Sequence, residues 1–262
     1  MPDDILLDKK DGIATVTFNQ PERHNPISYE GWLEIQRLAA VLADDAEVRV
    51  VVFTGAGDKA FSAGADIKDF ELHRSDEAAA RRYAAAIDGA LDAVERLPQP
   101  TICRIHGFCV GGGCEFSTAT DMRIAADNSQ FGVPAARLSV LVGYGEMRRL
   151  THLVGPGATA YLLLSGRLID APEALRIGLV TQVVPLAELC EYTDQLAAEM
   201  ARLAPLTQKY SKQILQIILR NPDLQNLSPE EEALPYAAAD SEDFEEGRRA
   251  FLERRPAHFK GR

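Results

Sequence analysis

The chain has 262 residues, 46% of them hydrophobic and 26% charged, with a formal net charge of −11. This length suits one sizeable domain, or a domain with an appendage, and the composition is that of a folded globular protein. The acidic balance argues against nucleic acid or an anionic membrane as the main partner, while leaving room for a phosphate-bearing ligand held by a local cationic spot.

No stretch approaches the ~18 uninterrupted apolar residues of a membrane span. Residues 1–11 are polar and acidic, without a signal-peptide pattern, so a cytoplasmic location is expected. The four cysteines (Cys103, Cys109, Cys114, Cys190) form no CxxC pair and no zinc-like spacing with histidine, so free thiols and no metal are expected.

In chain order, residues 5–8 and 13–18 flank an Asp11-Gly12 turn signal and read as a hairpin. In its second arm Ile13, Thr15 and Thr17 alternate with Ala14, Val16 and Phe18. Ser28 is placed to cap a helix in which Trp32, Ile35, Leu38, Ala39 and Leu42 recur at helical spacing. The β-branched run 48–54 predicts a buried strand ending at Gly55-Ala56-Gly57.

A first glycine-centred segment follows, Phe61-Ser62-Ala63-Gly64-Ala65-Asp66-Ile67-Lys68. Next comes a helix over 77–96 with Tyr83, Ile87, Leu91 and Val94 on one face, stopped by Pro98 and Pro100. Residues 101–105 read as a strand leading through Gly107 to a second glycine segment, Gly111-Gly112-Gly113-Cys114-Glu115, and 121–126 as a further strand. This strand–turn–helix rhythm predicts an α/β fold of β/α units wound into a spiral. Beyond about Thr151 the pattern is almost wholly helical, with 179–184 as the only strand-like interruption. Residues 1–200 are therefore read as the core and 201–262 as a helical extension.

Each glycine segment sets backbone with little or no side chain at a turn entering a helix, where N–H groups lack intrahelical acceptors. Two such turns converging on one point would bind an anionic oxygen through backbone donors alone. Taken singly, glycines of this kind also serve simply to allow tight turns. No dinucleotide fingerprint, phosphate-binding loop with Lys, or nucleophile elbow is present, so Ser62 and Ser117 have no serine-hydrolase context. Glu115 falls in the first turn of the second segment's helix, where a carboxylate suits the helix dipole and could reach a water or a substrate proton.

Together the two segments closely resemble the oxyanion-hole signature of the crotonase (enoyl-CoA hydratase/isomerase) family, and the resemblance runs from about Ile13 to the C-terminus. It implies a crotonase-like spiral of ββα units with a C-terminal helical extension, acting on an acyl-CoA thioester. Coenzyme A enters only as part of that substrate, with no other cofactor. By the same resemblance the backbone N–H groups of Ala65 and Gly112 form the oxyanion hole, and Glu115 matches the first of two catalytic glutamates. The second glutamate follows a proline in relatives, and here Pro134 is followed by Ala135, whose methyl group carries no proton.

The next loop, 138–146, offers Tyr144 as a possible phenolic donor or pocket wall, and Glu146 as a helix-start residue. A tyrosine there is similar to decarboxylating members that act on methylmalonyl-CoA-like substrates. Ala63, Asp66, Ile67, Gly111, Pro134 and Ala135 are expected around the substrate, Asp66 also as a cap for the short helix after it. Arg23, His24 and Lys68 are expected near the nucleotide and pantetheine, and Phe259-Lys260 to reach coenzyme A on a neighbouring subunit. Phe244, Phe251 and Leu252 form an apolar face on the last helix, which in the family packs across a trimer or dimer of trimers. The expected activity is that of an enoyl-CoA hydratase or a close relative with one of the two glutamates. The alternatives are an isomerase using Glu115 alone, a decarboxylase using Tyr144, or a non-catalytic acyl-CoA-binding protein.

Overall fold

The structure, a computed structural model, describes residues 4–262. Strands β1 (Ile5–Lys10) and β2 (Ile13–Phe18) form the expected hairpin. Asp11 and Gly12 supply its left-handed turn at φ 52° and 79°. The remaining strands are β3 (Val50–Gly55), β4 (Ala60–Ser62), β5 (Thr101–Ile105), β6 (Phe108–Val110), β7 (Met122–Ala126), β8 (Gln130–Gly132), β9 (Ile169–Asp170) and β10 (Gln182–Val184). Five helices precede β9: α1 (Tyr29–Ala43), α2 (Phe70–His73), α3 (Glu77–Glu95), α4 (Gly112–Ser117) and α5 (Tyr144–Ser165). Then come α6 (Ala171–Arg176), α7 (Leu189–Ala201), α8 (Pro205–Arg220), α9 (Pro229–Ala233) and α10 (Glu242–Glu253).

A six-stranded sheet has the order β1-β2-β3-β5-β7-β10, and a four-stranded sheet has the order β4-β6-β8-β9. Three successive turns of chain each give one strand to the large sheet (β3, β5, β7) and the next to the small one (β4, β6, β8), every pair parallel. A helix closes each turn. This is the spiral that the strand–turn–helix rhythm predicts.

The short strands of the small sheet carry no recognisable alternation, and the sequence reading finds none of them. Beyond Thr151 there is also β9, which corrects the expectation that 179–184 stands alone there.

Trp32, Ile35, Leu38, Ala39 and Leu42 are all buried along α1, and Ser28 Oγ accepts from Gly31 N at 3.0 Å. They share one core with Tyr83, Ile87, Leu91 and Val94 of α3. On the other face of the large sheet Val50, Val52, Ile102 and Ile124 pack with Leu189, Ala197 and Met200 of α7. The inner parallel strands are therefore covered on both sides, which is why they read as unbroken apolar runs. Phe116 on α4 makes edge contacts with Phe18 and Phe53 at 5.1 and 5.0 Å, tying that short helix to the large sheet. Cys103, Cys109 and Cys114 are buried free thiols, and Cys190 is an exposed one.

The C-terminal end of α4 is held by one buried cation. Arg123 donates to the carbonyl oxygens of Leu179 (2.7 Å), Thr120 (2.6 Å) and Ser117 (3.3 Å). Arg123→Met would leave the Leu179 and Thr120 carbonyl oxygens without a donor, while Ser117 O keeps its bond from the Thr120 hydroxyl. A loss of about 2–3 kcal/mol in a urea unfolding curve is expected, and an unchanged midpoint would contradict this role.

Helix α5 is broken at Gly155 (φ 73°), followed by Pro156. Helix α8 docks on the core through Lys212, whose ammonium donates to Asp121 at 2.8 Å, an oxygen that also accepts from Thr101 N at 2.7 Å. Among the described residues no helix is long and apolar enough to cross a membrane.

Candidate active site

Parallel pairing in the small sheet brings three strand ends side by side: Ser62 beside Cys109, and Val110 beside Gly132. The loops leaving those ends are the two glycine segments and Val133-Pro134-Ala135. Ligand sites in parallel sheets form at such carboxyl ends.

The first loop is pinned by the chain at 24–27: Ala63 N donates to His24 O and Ile27 N to Gly64 O, each at 2.8 Å, while Asp66 N donates to Ile27 O at 2.9 Å. Ser62 Oγ accepts from Gly64 N at 3.1 Å. Asn25, fully buried and at φ 54°, donates to Ala56 O (2.9 Å) and Ala60 O (2.8 Å), holding the approach to β4. The second loop is fixed to the third by Gly111 N donating to Gly132 O at 2.8 Å.

With these bonds made, neither Ala65 N nor Gly112 N donates a hydrogen bond within the described residues. The two loops touch. A methyl group at Gly64, where φ is +104°, would lie 2.9 Å from Gly112 N and 2.8 Å from Val110 O. One at Gly112 would lie 3.1 Å from Ala65 N. Two unpaired N–H groups on adjoining loops are suited to an anionic oxygen.

Glu115 lies one helical turn past Gly111, its N–H donating to Gly111 O at 2.9 Å. Burial, then the neighbouring Glu146, push its carboxyl up to about 8, with Arg74 opposing. Glu146 is the third residue of α5 and is buried, at 6% exposure. Its carboxyl is also pushed up, chiefly by burial and further by Asp88, against a hydrogen bond from its own backbone N–H and the charges of Arg149 and Arg74.

Arg149 fixes the start of α5 against α3 through Asp92 (2.5 Å) and Glu95 (2.6 Å). Arg74, between α2 and α3, stacks its guanidinium over Phe70 (4.6 Å) and Tyr83 (4.5 Å). The Arg74 Nε is buried without a hydrogen-bond partner. The site thus holds the half-buried Glu115, the buried carboxyl of Glu146 and one cation stacked on aromatic rings.

Other expected residues fall differently. Ala135 opens a short 3₁₀ turn directly after Pro134 and packs against the core, so no carboxyl stands at the end of β8. Tyr144 starts α5 but is 96% exposed, and its phenol is not packed beside Glu115. Glu146, expected only as a helix-start residue, occupies the buried position instead. The difference arises because Tyr144 and Glu146 project from different sides of one helical turn.

Arg23 is engaged by Asp66, its Nη2 donating to both carboxylate oxygens at 2.6 and 2.7 Å. Asp66 also accepts from Lys68 N, capping the following turn as expected. A mutually neutralised pair is not a free anchor for phosphate. His24 is half-buried with its ring edge-on to Phe108 at 6.1 Å. Ala63, Ile67 and Lys68 are exposed on the rim of the first loop.

The tail folds on its own chain. Lys260 N donates to Asp243 at 2.6 Å, Lys260 Nζ to Glu242 at 3.3 Å, and Arg49 to Phe259 O at 3.2 Å. Sequence reasoning passed over Asn25, Arg74 and the burial of Glu146. The left-handed Asn25 before Pro26 was the one legible signal, since asparagine tolerates that conformation.

A ββα spiral with two abutting glycine loops at its strand ends defines a crotonase-fold protein. A family model described as enoyl-CoA hydratase/isomerase matches residues 8–262, and the chain belongs to that family. It is 35% identical over 257 residues to the crotonyl-CoA hydratase of Syntrophomonas wolfei, covering 98% of each chain. It is 34% identical over 259 residues to the short-chain-enoyl-CoA hydratase of Clostridium acetobutylicum, again at 98% of each. Among solved structures, an enoyl-CoA hydratase/carnithine racemase from Magnetospirillum magneticum superposes with a TM-score of 0.94 at 35% identity, covering 99% of this chain and 96% of that one.

Proposed function

We propose that this protein is an enoyl-CoA hydratase-type lyase, adding water across the α,β double bond of an enoyl thioester. The observation that carries the reading is the pair of unpartnered N–H groups at Ala65 and Gly112, with Glu115 one turn beyond. As water adds at the β-carbon, negative charge develops on the thioester oxygen. Two preorganised donors there stabilise that enolate without having to reorganise. The carboxyl of Glu115 is placed to handle the proton that this addition moves. The hydratase names carried by relatives at about one-third identity support the same choice.

Coenzyme A brings phosphates to an acidic protein, and with Arg23 held by Asp66, the exposed Lys68 is the nearer free cation for them. Self-association as a trimer or dimer of trimers is part of this reading. It is supported by Phe244, Phe251 and Leu252, which stand 54%, 84% and 73% exposed along α10. The outward Tyr144 lends no support to a decarboxylase.

The test is incubation of purified protein with crotonyl-CoA, followed by mass spectrometry of the thioester. The expected result is gain of one water at a rate proportional to enzyme. Unaltered crotonyl-CoA at micromolar enzyme would refute the hydratase reading.

A further inference from the structure

The end of β8 supplies a methyl group at Ala135, so a hydration that needs a proton delivered to the α-carbon has no donor there. The buried acidic group nearest to taking that task comes from another element. Glu146 sits on the first turn of α5, which packs on both α3 and α4. Its side chain folds back over its own helix start: a methyl group at Gly143 would lie 2.5 Å from Glu146 Oε2. That oxygen is buried and has no hydrogen-bond partner.

A buried, unpaired carboxyl oxygen costs stability, and a purely structural residue at this place would be replaced by glutamine or an apolar side chain without loss. The charged groups facing it are Glu115 on α4, Asp88 on α3, Arg149 on its own helix, and Arg74 from the segment before α3. Arg149 is already paired with Asp92 and Glu95. Neither Arg149 nor Arg74 forms an ion pair with Glu146, and both act on its charge only from a distance.

We infer that Glu146 is the second acid–base residue of the site, working with Glu115 in place of the carboxyl missing at Ala135. This rests on the hydratase reading and deepens it. Two carboxyls in one site cannot both ionise freely, so the pair carries a single proton at neutral pH. The ionised member takes a proton from water as the water oxygen bonds to the β-carbon. The π electrons of the double bond move into the enolate, whose oxygen lies between the Ala65 and Gly112 N–H groups. The protonated member then gives its proton to the α-carbon. Water has been added, and the pair again holds one proton after exchanging it within the site.

The experiment compares parent, E115Q and E146Q for crotonyl-CoA hydration and for exchange of the α-hydrogens of butyryl-CoA in deuterium oxide. E146Q is expected to lose about 10²–10⁴ in both reactions, to melt within a few degrees of the parent, and to bind acetoacetyl-CoA with unchanged Kd. The kcat/KM of the parent is expected to fall above about pH 8, where Glu115 and its partner lose their shared proton.

Retention of both activities within about threefold in E146Q, while E115Q is inactive, would overturn this inference and leave the hydratase reading standing. A pH profile that climbs through pH 8 to a plateau would overturn it as well. A parent inactive in both reactions would remove the hydratase reading and this inference together. Should E146Q fail to fold, E146D keeps the acid but withdraws it by one methylene. A loss of tenfold or more in E146D supports the role, and full activity refutes it.

Discussion

Replacement of Glu115 by glutamine is expected to lower kcat/KM for crotonyl-CoA hydration by about 10²–10⁴, the usual worth of a positioned proton-transfer group. The same change is expected to stabilise the fold at alkaline pH. In the folded chain the Glu115 carboxyl is pushed up to about 8, above its ordinary 4.5, so the folded state keeps a proton that the unfolded state has already released. Stability is therefore lost as pH rises from 4.5 to 8, and the full penalty persists above 8. Glutamine has no such titration.

Thermal melts of parent and E115Q should coincide near pH 4.5 and diverge as pH rises, with E115Q higher by on the order of 5 °C at pH 9. Equal melting temperatures at pH 9 would show that the carboxyl is not strained by burial. Loss of activity together with gain of stability separates a functional group from a structural one.

The second large effect is expected at Gly64. Its φ of +104° disfavours any side chain, and an alanine methyl would stand 2.8 Å from Val110 O and 2.9 Å from Gly112 N. The loops must part, which on the proposed reading separates the Ala65 and Gly112 N–H groups that hold the thioester oxygen. Gly64→Ala is expected to lower hydration by at least about 10²–10³, the cost of losing one such donor, with a stability loss of about 1–3 kcal/mol from the backbone alone.

Gly155→Ala is the matched control. Gly155 also has a positive φ, 73°, but nothing lies within 4 Å of the added methyl. That variant should lose comparable stability while keeping its activity. If both variants lost activity alike, general strain rather than the two N–H groups would explain the Gly64 result.

Long elements were legible in the sequence because their period is long enough to read. Residues 101–105 match β5, and helix α3 begins at Glu77 as expected. The buried face of α1 follows from apolar spacing alone, and Ser28 is the cap its type implies. By contrast β4, β6 and β8 span three residues each, too few for alternation to stand out. Yet these strands carry the site. Their parallel pairing is long-range and depends on how the spiral closes, so only the folded chain reveals that three strand ends lie abreast.

What the sequence by itself determined is local chemistry: two glycine turns with spare backbone donors, a glutamate at a helix start, a methyl group after Pro134, and membership of a family through those motifs. Tertiary structure decided which groups meet. It paired Arg23 with Asp66 and turned Tyr144 to solvent. It buried Glu146, a residue thirty-one positions beyond Glu115, within electrostatic reach of it. The physical reason is that a side chain's charge state depends on solvent exclusion and on neighbours brought from distant segments, and neither is encoded in the spacing of residues along a chain.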